Sequence, residues 1–138
     1  MTNEADARRR LSHRRLDRAK QHLKSARDLL ANEDFGDSVS RSYYAIFQAT
    51  RALLALQGLE SRKHSGVVSL FNRHFIKRGK LDKQLGIILK DAWRSREIAD
   101  YSDLAEFTRE QAAARAQDAE VFIRAVEAFL RAEHTSSS

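Results

Sequence analysis

The sequence predicts an all-α protein, an antiparallel up-and-down bundle of four to five helices. Three observations lead to this prediction. The 138 residues include no proline and only five glycines, while alanine, leucine, arginine, glutamate and lysine, which all favour helices, are abundant. Apolar residues recur at steps of three and four along five segments. Valine and isoleucine are few and do not alternate with polar residues, so no strand is predicted.

The first two helices are predicted over residues 5–32 and 37–57. The turn NEDFGD separates them, since Gly36 and the Asp and Asn residues around it favour turns and caps. Gly58 then suits the left-handed position that follows a helix end. The second helix carries a polar and aromatic stripe beside its apolar one, and this stripe is either an interface or a solvated flank. The stripe comprises Arg41, Tyr44, Gln48 and Arg51.

Helices three and four are predicted over residues 65–78 and 82–99, with Gly79 between them as the position where the third helix ends. Both segments repeat apolar residues with the helical period. In helix three the apolar set is Val67, Val68, Leu70, Phe71 and Phe75. In helix four it is Leu81, Leu85, Ile88, Leu89 and Ala92, with Trp93 beside it.

A fifth helix is predicted over residues 108–132. It opens with a capping box, in which Thr108 and Gln111 satisfy each other's orphan backbone N–H groups. No linker or internal repeat interrupts the pattern, so residues 1–132 are predicted to form a single domain. The last residues, 133–138, are polar and small and are predicted to form a disordered tail.

The composition argues against two classes of protein, those that use cysteine chemistry and those that span a membrane. The chain has no cysteine, which excludes disulfides and thiolate chemistry. No apolar run approaches the roughly 20 residues of a membrane span, and the charged N-terminal segment lacks the apolar region of a signal peptide. We therefore expect a soluble, cytoplasmic protein without a membrane partner.

The net charge of +6 is unevenly distributed. Residues 1–31 carry nine Lys and Arg residues against four acidic ones, and residues 61–81 carry six against none. Basic stretches of this kind attract polyanions such as RNA or nucleotides. Arg73 and Lys77 in the second stretch are therefore candidate binding residues.

No metal or cofactor site is predicted. None of the five histidines has a second His, Asp or Glu at a recognised ligand spacing, and no glycine-rich loop follows a strand. These histidines are His13, His22, His64, His74 and His134.

The stretch RSREIADY, residues 94–101, concentrates charge at the end of helix four. Arg96 and Asp100 are four residues apart and share a helix face, so we expect them to form an ion pair. Arg94 and Tyr101 are seven apart and share another face. The stretch is either a solvated helix end, where arginines favour the helix dipole, or a functional surface.

Three blocks together resemble the HEPN domain family. They are SRSYYAIFQATRALL in helix two, KHSGVVSLFNRHFIKRGKL in helix three and RSREIADY in helix four. The resemblance covers roughly residues 10–132. It is more specific to small stand-alone HEPN proteins whose motif reads Arg-x-x-Ala-Asp-Tyr, which Arg96, Ala99, Asp100 and Tyr101 match.

The resemblance implies a bundle of four or five helices that forms a homodimer through the helix-four faces. It implies a minimal nucleotidyltransferase as partner, in a toxin–antitoxin pair, and in some such pairs the partner modifies the motif tyrosine with AMP. Active HEPN toxins are metal-independent RNases. Their motif arginine would stabilise phosphate charge, and a histidine four to six residues later would act as acid or base on the ribose 2′-hydroxyl.

This chain departs from the RNase motif. With Arg94 placed on the motif arginine, the histidine position is Ala99, and no other histidine lies between residues 75 and 133. The candidate catalytic residues are Arg96, Asp100 and Tyr101, with Arg94 in the other register, and His64 is the histidine that helix three could bring near them. The candidate binding residues are Arg41, Tyr44, Arg51, His64, Arg73 and Lys77.

Three functions stay open on the sequence. The first is a non-catalytic or weakly active module that binds RNA or a nucleotide and works with the nucleotidyltransferase. The second is a metal-independent endoribonuclease toxin. The third is a structural protein that only dimerises or binds a partner.

Overall fold

The computed structural model describes residues 3–102 and 106–137. It shows an all-α bundle without strands over these residues, which confirms the predicted fold class. The five helices are α1 (Asn3–Ala31), α2 (Phe35–Leu56), α3 (His64–Phe71), α4 (Lys83–Tyr101) and α5 (Arg109–Ser137). No helix in the described part of the chain combines the length and the apolar run needed to cross a bilayer.

The central helix is α2, which packs against the other four helices. Its sequence explains this position, because apolar and small residues cover most of its circumference and leave only one polar stripe. Thirteen of its 22 residues are buried. Two buried hydroxyls join α1 and α2: Ser38 Oγ donates to the Ala26 carbonyl at 2.7 Å, and Ser12 Oγ of α1 donates to the Ala52 carbonyl at 2.8 Å.

Phenylalanine rings of α3 and of the turn that follows it pack against α5. Phe71 lies 5.7 Å from Phe122 between ring centroids, and Phe75 lies 5.5 Å from Phe129 in an edge-on arrangement. Phe71, Phe75 and Phe122 are fully buried. Aromatic pairs of this geometry add to the hydrophobic stabilisation of the core.

Helix three differs from the prediction of one continuous helix. The α-helix ends at Phe71, and a π-helical turn, Asn72–Ile76, follows it. The Lys77 N–H bonds the Asn72 carbonyl at 2.8 Å, five residues back. The apolar period could not show this, because a π-turn adds a single residue and leaves Phe71 and Phe75 on the core side.

The predicted helix ends are confirmed at Gly58 and Gly79, which have φ of +70° and +69°. The capping box is also confirmed, since Thr108 Oγ1 accepts from the Gln111 N–H and Gln111 Oε1 accepts from the Thr108 N–H. The turn after α1 falls within the predicted NEDFGD, and its left-handed residue is Glu33, with φ of +66°. Gly36 lies in the first turn of α2, which begins two residues before the predicted start at residue 37.

The last helix continues to Ser137, five residues beyond the predicted end at residue 132. Neither glycine nor proline follows Ala132, so the sequence supplies no strong stop signal there. The division into a domain over 1–132 and a disordered tail over 133–138 stays a prediction.

Candidate functional site

The polar stripe of α2 lies between α1 and α4, and we call its four residues, Arg41, Tyr44, Gln48 and Arg51, the α2 groove. It spans about 15 Å along the helix axis. Its members contact both neighbouring helices: α1 reaches Arg41 and Arg51, and α4 reaches Tyr44. Arg41 is exposed and the other three are half-buried. The stripe therefore lies between α1 and α4, and within it Gln48 Oε1 is a buried acceptor without a hydrogen-bond partner among the described residues.

Arg96 projects from α4 into a cage of aromatic rings. Its side chain is only 12% exposed, and its Nη2 donates a hydrogen bond of 3.0 Å to Tyr44 Oη. A guanidinium in contact with several rings is held by cation–π attraction as well as by packing. Its Cζ lies 5.4–5.9 Å from the ring centroids of Tyr43, Tyr44, Trp93 and Tyr101.

Asp100 ties this cage to the start of α2. Its Oδ2 lies 2.9 Å from Arg96 Nε, which confirms the ion pair that the sequence predicts. The two groups are too poorly aligned for a hydrogen bond, and the buried Arg96 Nε makes none with the described residues. Asp100 Oδ1 accepts a hydrogen bond from Ser40 Oγ at 2.5 Å. Both carboxylate oxygens are therefore engaged by the protein itself.

The guanidinium of Arg96 stays protonated in this environment. Burial lowers the pKa of Arg96, but the hydrogen bond to Tyr44 and the nearby Asp100 outweigh it, so the pKa is raised overall. Burial raises the pKa of Tyr43 strongly, so Tyr43 stays a neutral hydroxyl. The cage thus holds a permanent cation among aromatic rings, paired with the carboxylate of Asp100.

His64 lies beside this cage. Its Nδ1 is 2.7 Å from Tyr43 Oη, and its ring stacks on Phe47 at 4.4 Å and lies 5.1 Å from Trp93. Burial, followed by the positive charges of Arg96 and Arg51, lowers the pKa of His64. The imidazole is therefore neutral near pH 7. The structure brings His64 to the motif, which its position in the sequence could not show.

His22 also belongs to the site, although its spacing to other ligands gave no signal. Its Nδ1 lies 3.3 Å from Arg41 Nη1. An arginine can only donate, so Nδ1 accepts and the imidazole proton sits on Nε2. Burial and the charges of Arg41 and Arg18 lower the pKa of His22. Helical spacing could have found it, since Arg15, Arg18 and His22 are three and four residues apart and share one face of α1.

Arg94, the motif arginine in the alternative alignment, lies away from the Arg96 cage. Tyr101 is 73% exposed although its ring flanks Arg96. Arg94 is exposed and lines a shallow groove between α4 and α5 with Glu110 and Arg115. The structure therefore brings Arg96, Asp100 and Tyr101 together and leaves Arg94 outside the cluster.

Glu60, in the loop after α2, lies between the Arg51 end of the α2 groove and the basic residues that follow. Arg15 donates to Glu60 at 2.7 Å, and Arg51 lies 3.4 Å from the same carboxylate. Arg73 and Lys77 are exposed and line an open groove along α3 that also touches Glu60. Among the side chains that the structure describes, in residues 3–102 and 106–133, no group of three His, Asp or Glu residues is placed to hold a metal ion.

The fold and the site define a helical bundle that carries an arginine-centred motif on its fourth helix. The family model for the HEPN domain matches residues 12–130. This chain belongs to the HEPN domain family.

Relatives share most of the chain. A UPF0332 protein of Thermotoga maritima is 42% identical over 110 residues, which cover 80% of this chain and 83% of the relative. Two proteins of Methanocaldococcus jannaschii are named as putative toxins. One is 33% identical over a match that covers 82% of this chain and 84% of the relative. The other is 30% identical over a match that covers 83% of this chain and 78% of the relative.

Replacing Arg96 tests whether the cage stabilises the fold. Arg96→Gln removes the cation–π contacts and the ion pair with Asp100, and we expect a loss of about 2 kcal/mol in the free energy of unfolding. The measurement is urea denaturation at several protein concentrations, so that any change in association is seen separately. The matched control is Arg94→Gln, which removes an exposed charge from the same helix and should change stability by less than about 0.5 kcal/mol. Equal stability of the two variants would contradict the structural role of Arg96.

Proposed function

We propose that this protein is a HEPN module that binds RNA or a nucleotide along the α2 groove and has little or no RNase activity of its own. The observation that carries the proposal is the engagement of Arg96, whose guanidinium is caged by rings and paired with Asp100. An arginine held in this way organises a surface and is poorly placed to follow a reacting phosphate. Ala99 occupies the position where the family resemblance places the histidine of active RNases.

Charge and hydrogen-bonding capacity favour a polyanion as the ligand of the groove. Arg41 is exposed at one end and Arg51 is half-buried at the other, with Arg15 and Arg18 of α1 nearby. Burial and then the charges of neighbouring arginines lower the pKa of His22 and of His64, and the arginine contribution reflects the positive charge along the groove. Phosphates of RNA or a nucleotide complement this potential.

The partner in this proposal is a minimal nucleotidyltransferase in a toxin–antitoxin pair. Two relatives that cover most of the chain are named as putative toxins, which supports such a role. The resemblance adds that the partner transfers AMP to the motif tyrosine in some pairs. The exposure of Tyr101 makes its hydroxyl accessible to a modifying enzyme.

A second candidate is the metal-independent endoribonuclease toxin, and the position of His64 favours it. A neutral imidazole beside Arg96 supplies the titratable group that the motif itself lacks. In that role His64 would take the proton of the ribose 2′-hydroxyl while an arginine stabilises the charge on the phosphate.

The same proposal includes a homodimer formed through α4. Three of the exposed large apolar residues are on this helix, Ile87, Ile98 and Tyr101. Ile87 and Ile98 are eleven residues apart, or about three turns, and Tyr101 follows Ile98 by three residues, so the three side chains lie on one side of α4. Apolar side chains that share one exposed face are typical of a surface that another protein covers.

Binding to the groove is tested with fluorescently labelled RNA in EDTA, measured by anisotropy over a range of salt concentrations. Arg41→Gln removes an exposed cation of the groove, so we expect affinity to fall about tenfold and the slope of log K against log salt to shrink by about one. The control is Arg124→Gln, which removes an exposed cation of α5. Equal effects of the two substitutions would contradict the α2 groove as the binding surface, and no binding by the wild type would reject RNA as its ligand.

The dimer is tested by sedimentation of Ile98→Glu. A buried carboxylate in an apolar interface is costly, so we expect this variant to sediment as a monomer at concentrations where the wild type is dimeric. Val121→Glu places the same charge on an exposed apolar position of α5 and should sediment like the wild type. A monomeric wild type, or a dimer that survives Ile98→Glu, would refute the α4 interface.

A further inference from the structure

A pocket opens beside the first turn of α3, at the Arg51 end of the α2 groove. Its volume is about 400 Å³. The lining combines one apolar ring with polar and charged groups, Phe47, Arg51, Glu60, Ser61, Arg62 and His64. We call it the α3 pocket. The function proposed above assigns no ligand to it.

Gly66 allows this pocket to form. A methyl group at Gly66 would overlap the side chain of Ser61, so glycine lets the first turn of α3 approach the loop that carries Ser61 and Arg62. The loop is thereby held against the helix that supplies His64. Three chain segments, the end of α2, the loop and the start of α3, meet around one space.

His64 lines the pocket, and neighbouring side chains hold its ring in place. The Phe47 ring stacks on the imidazole, and the Trp93 ring lies against it at a tilt of 40°. Tyr43 Oη occupies Nδ1. The remaining polar atom of the imidazole is Nε2, and it carries the proton when Tyr43 donates to Nδ1. A half-buried N–H donor whose ring is held between neighbouring side chains is a good partner for an anionic oxygen.

Positive charge exceeds negative charge around the pocket. The lining holds Glu60 against Arg51 and Arg62, and Glu60 is bound more closely by Arg15, at 2.7 Å, than by Arg51, at 3.4 Å. Burial and the neighbouring charge of Arg15 lower the pKa of Arg51. Arg51 is thus a crowded cation that Glu60 neutralises only in part, and a second anion would relieve the repulsion.

We propose that the α3 pocket binds a phosphate group of RNA or of a nucleotide, with Arg51 and Arg62 supplying opposite charge and His64 Nε2–H donating a hydrogen bond. The proposal rests on the function proposed above and adds a defined phosphate position to it. The pocket adjoins Arg51 of the α2 groove, so a chain of phosphates along the groove would end there.

Trp93 reports on this pocket. It is the single tryptophan of the chain, and its ring centroid lies 5.1 Å from that of His64. A protonated imidazole in contact with an indole quenches its fluorescence, so the emission should follow the titration of His64. The other titratable groups around His64 are Tyr43 and Arg51 of α2, Arg96 of α4, and Glu60 and Arg62 of the loop.

The experiment titrates Trp93 fluorescence with pH in sodium sulfate and in sodium chloride at equal ionic strength. Sulfate has the shape and charge of a phosphate dianion and does not titrate over this range. A bound dianion favours the charged imidazole, so we expect the midpoint to rise by roughly 0.5 to 1 pH unit in sulfate. Arg62→Gln should reduce the rise at least twofold, whereas Arg78→Gln, which removes an exposed cation outside the pocket, should leave it unchanged.

His64→Gln identifies the signal, since it should abolish the fluorescence titration. If His64→Gln does not fold, the comparison of Arg62→Gln with Arg78→Gln still tests the pocket. Arg62 is exposed, so its replacement should leave the fold intact. Equal midpoints in sulfate and chloride, or equal rises in Arg62→Gln and Arg78→Gln, would overturn the proposal.

Two further ligands separate the sources of the phosphate. AMP and a short uridine oligonucleotide are each added at constant pH, and the one that changes the emission at the lower concentration identifies the natural source. A response to sulfate with none to either ligand would overturn the proposal as well. RNA binding without any sulfate effect would reject the α3 pocket as a phosphate site and leave the proposed function intact. A response to sulfate and AMP without RNA binding would support the phosphate site and reject RNA as the ligand.

Discussion

The guanidinium of Arg96 organises the face of the bundle that carries the motif. It joins residues from α2 and α4 that the chain separates by about 50 positions, and it does so through four rings, a hydroxyl and a carboxylate at once. Because α2 is the central helix, fixing α4 against it also fixes Trp93 and the exposed face of α4. The orientation of Tyr101 follows from the same contact. A lysine could not replace this arginine, since it lacks the planar group that meets several rings together.

This arrangement has a chemical consequence. Catalysis on a phosphodiester needs a group that changes protonation near the operating pH and a cation that reaches the developing charge. Here Arg96 is held by the aromatic cage, and Asp100 is held by Arg96 and Ser40. Burial and neighbouring arginines keep His22 and His64 neutral. A surface of permanent cations and neutral donors is suited to holding phosphates. His64 is the group on which the balance between binding and cleavage depends, because it alone combines a position beside Arg96 with access to the α3 pocket.

Much of the fold could be predicted because it rests on local signals. The helical period of the apolar residues located the five helices, Gly58 and Gly79 marked two ends, and the spacing of Arg96 and Asp100 predicted their ion pair. The π-helical turn after Phe71 was missed because one extra residue leaves the apolar pattern intact. The cage around Arg96 and the approach of His64 to Tyr43 depend on tertiary packing, which no periodicity in a single segment encodes. The motif could therefore be recognised by its residues, whereas its environment required the structure.

The most direct test of this account incubates the purified protein with labelled total RNA in EDTA, at concentrations where anisotropy shows that the RNA is bound. Wild type, Arg96→Gln and His64→Gln are compared after far-UV circular dichroism has established that each is folded. We expect intact RNA in all three reactions, because Ala99 stands at the histidine position, Asp100 is held by Arg96 and Ser40, and Arg96 serves the fold. Cleavage by the wild type that disappears in folded Arg96→Gln and His64→Gln would contradict it, and would establish a metal-independent RNase in which His64 replaces the histidine missing at position 99.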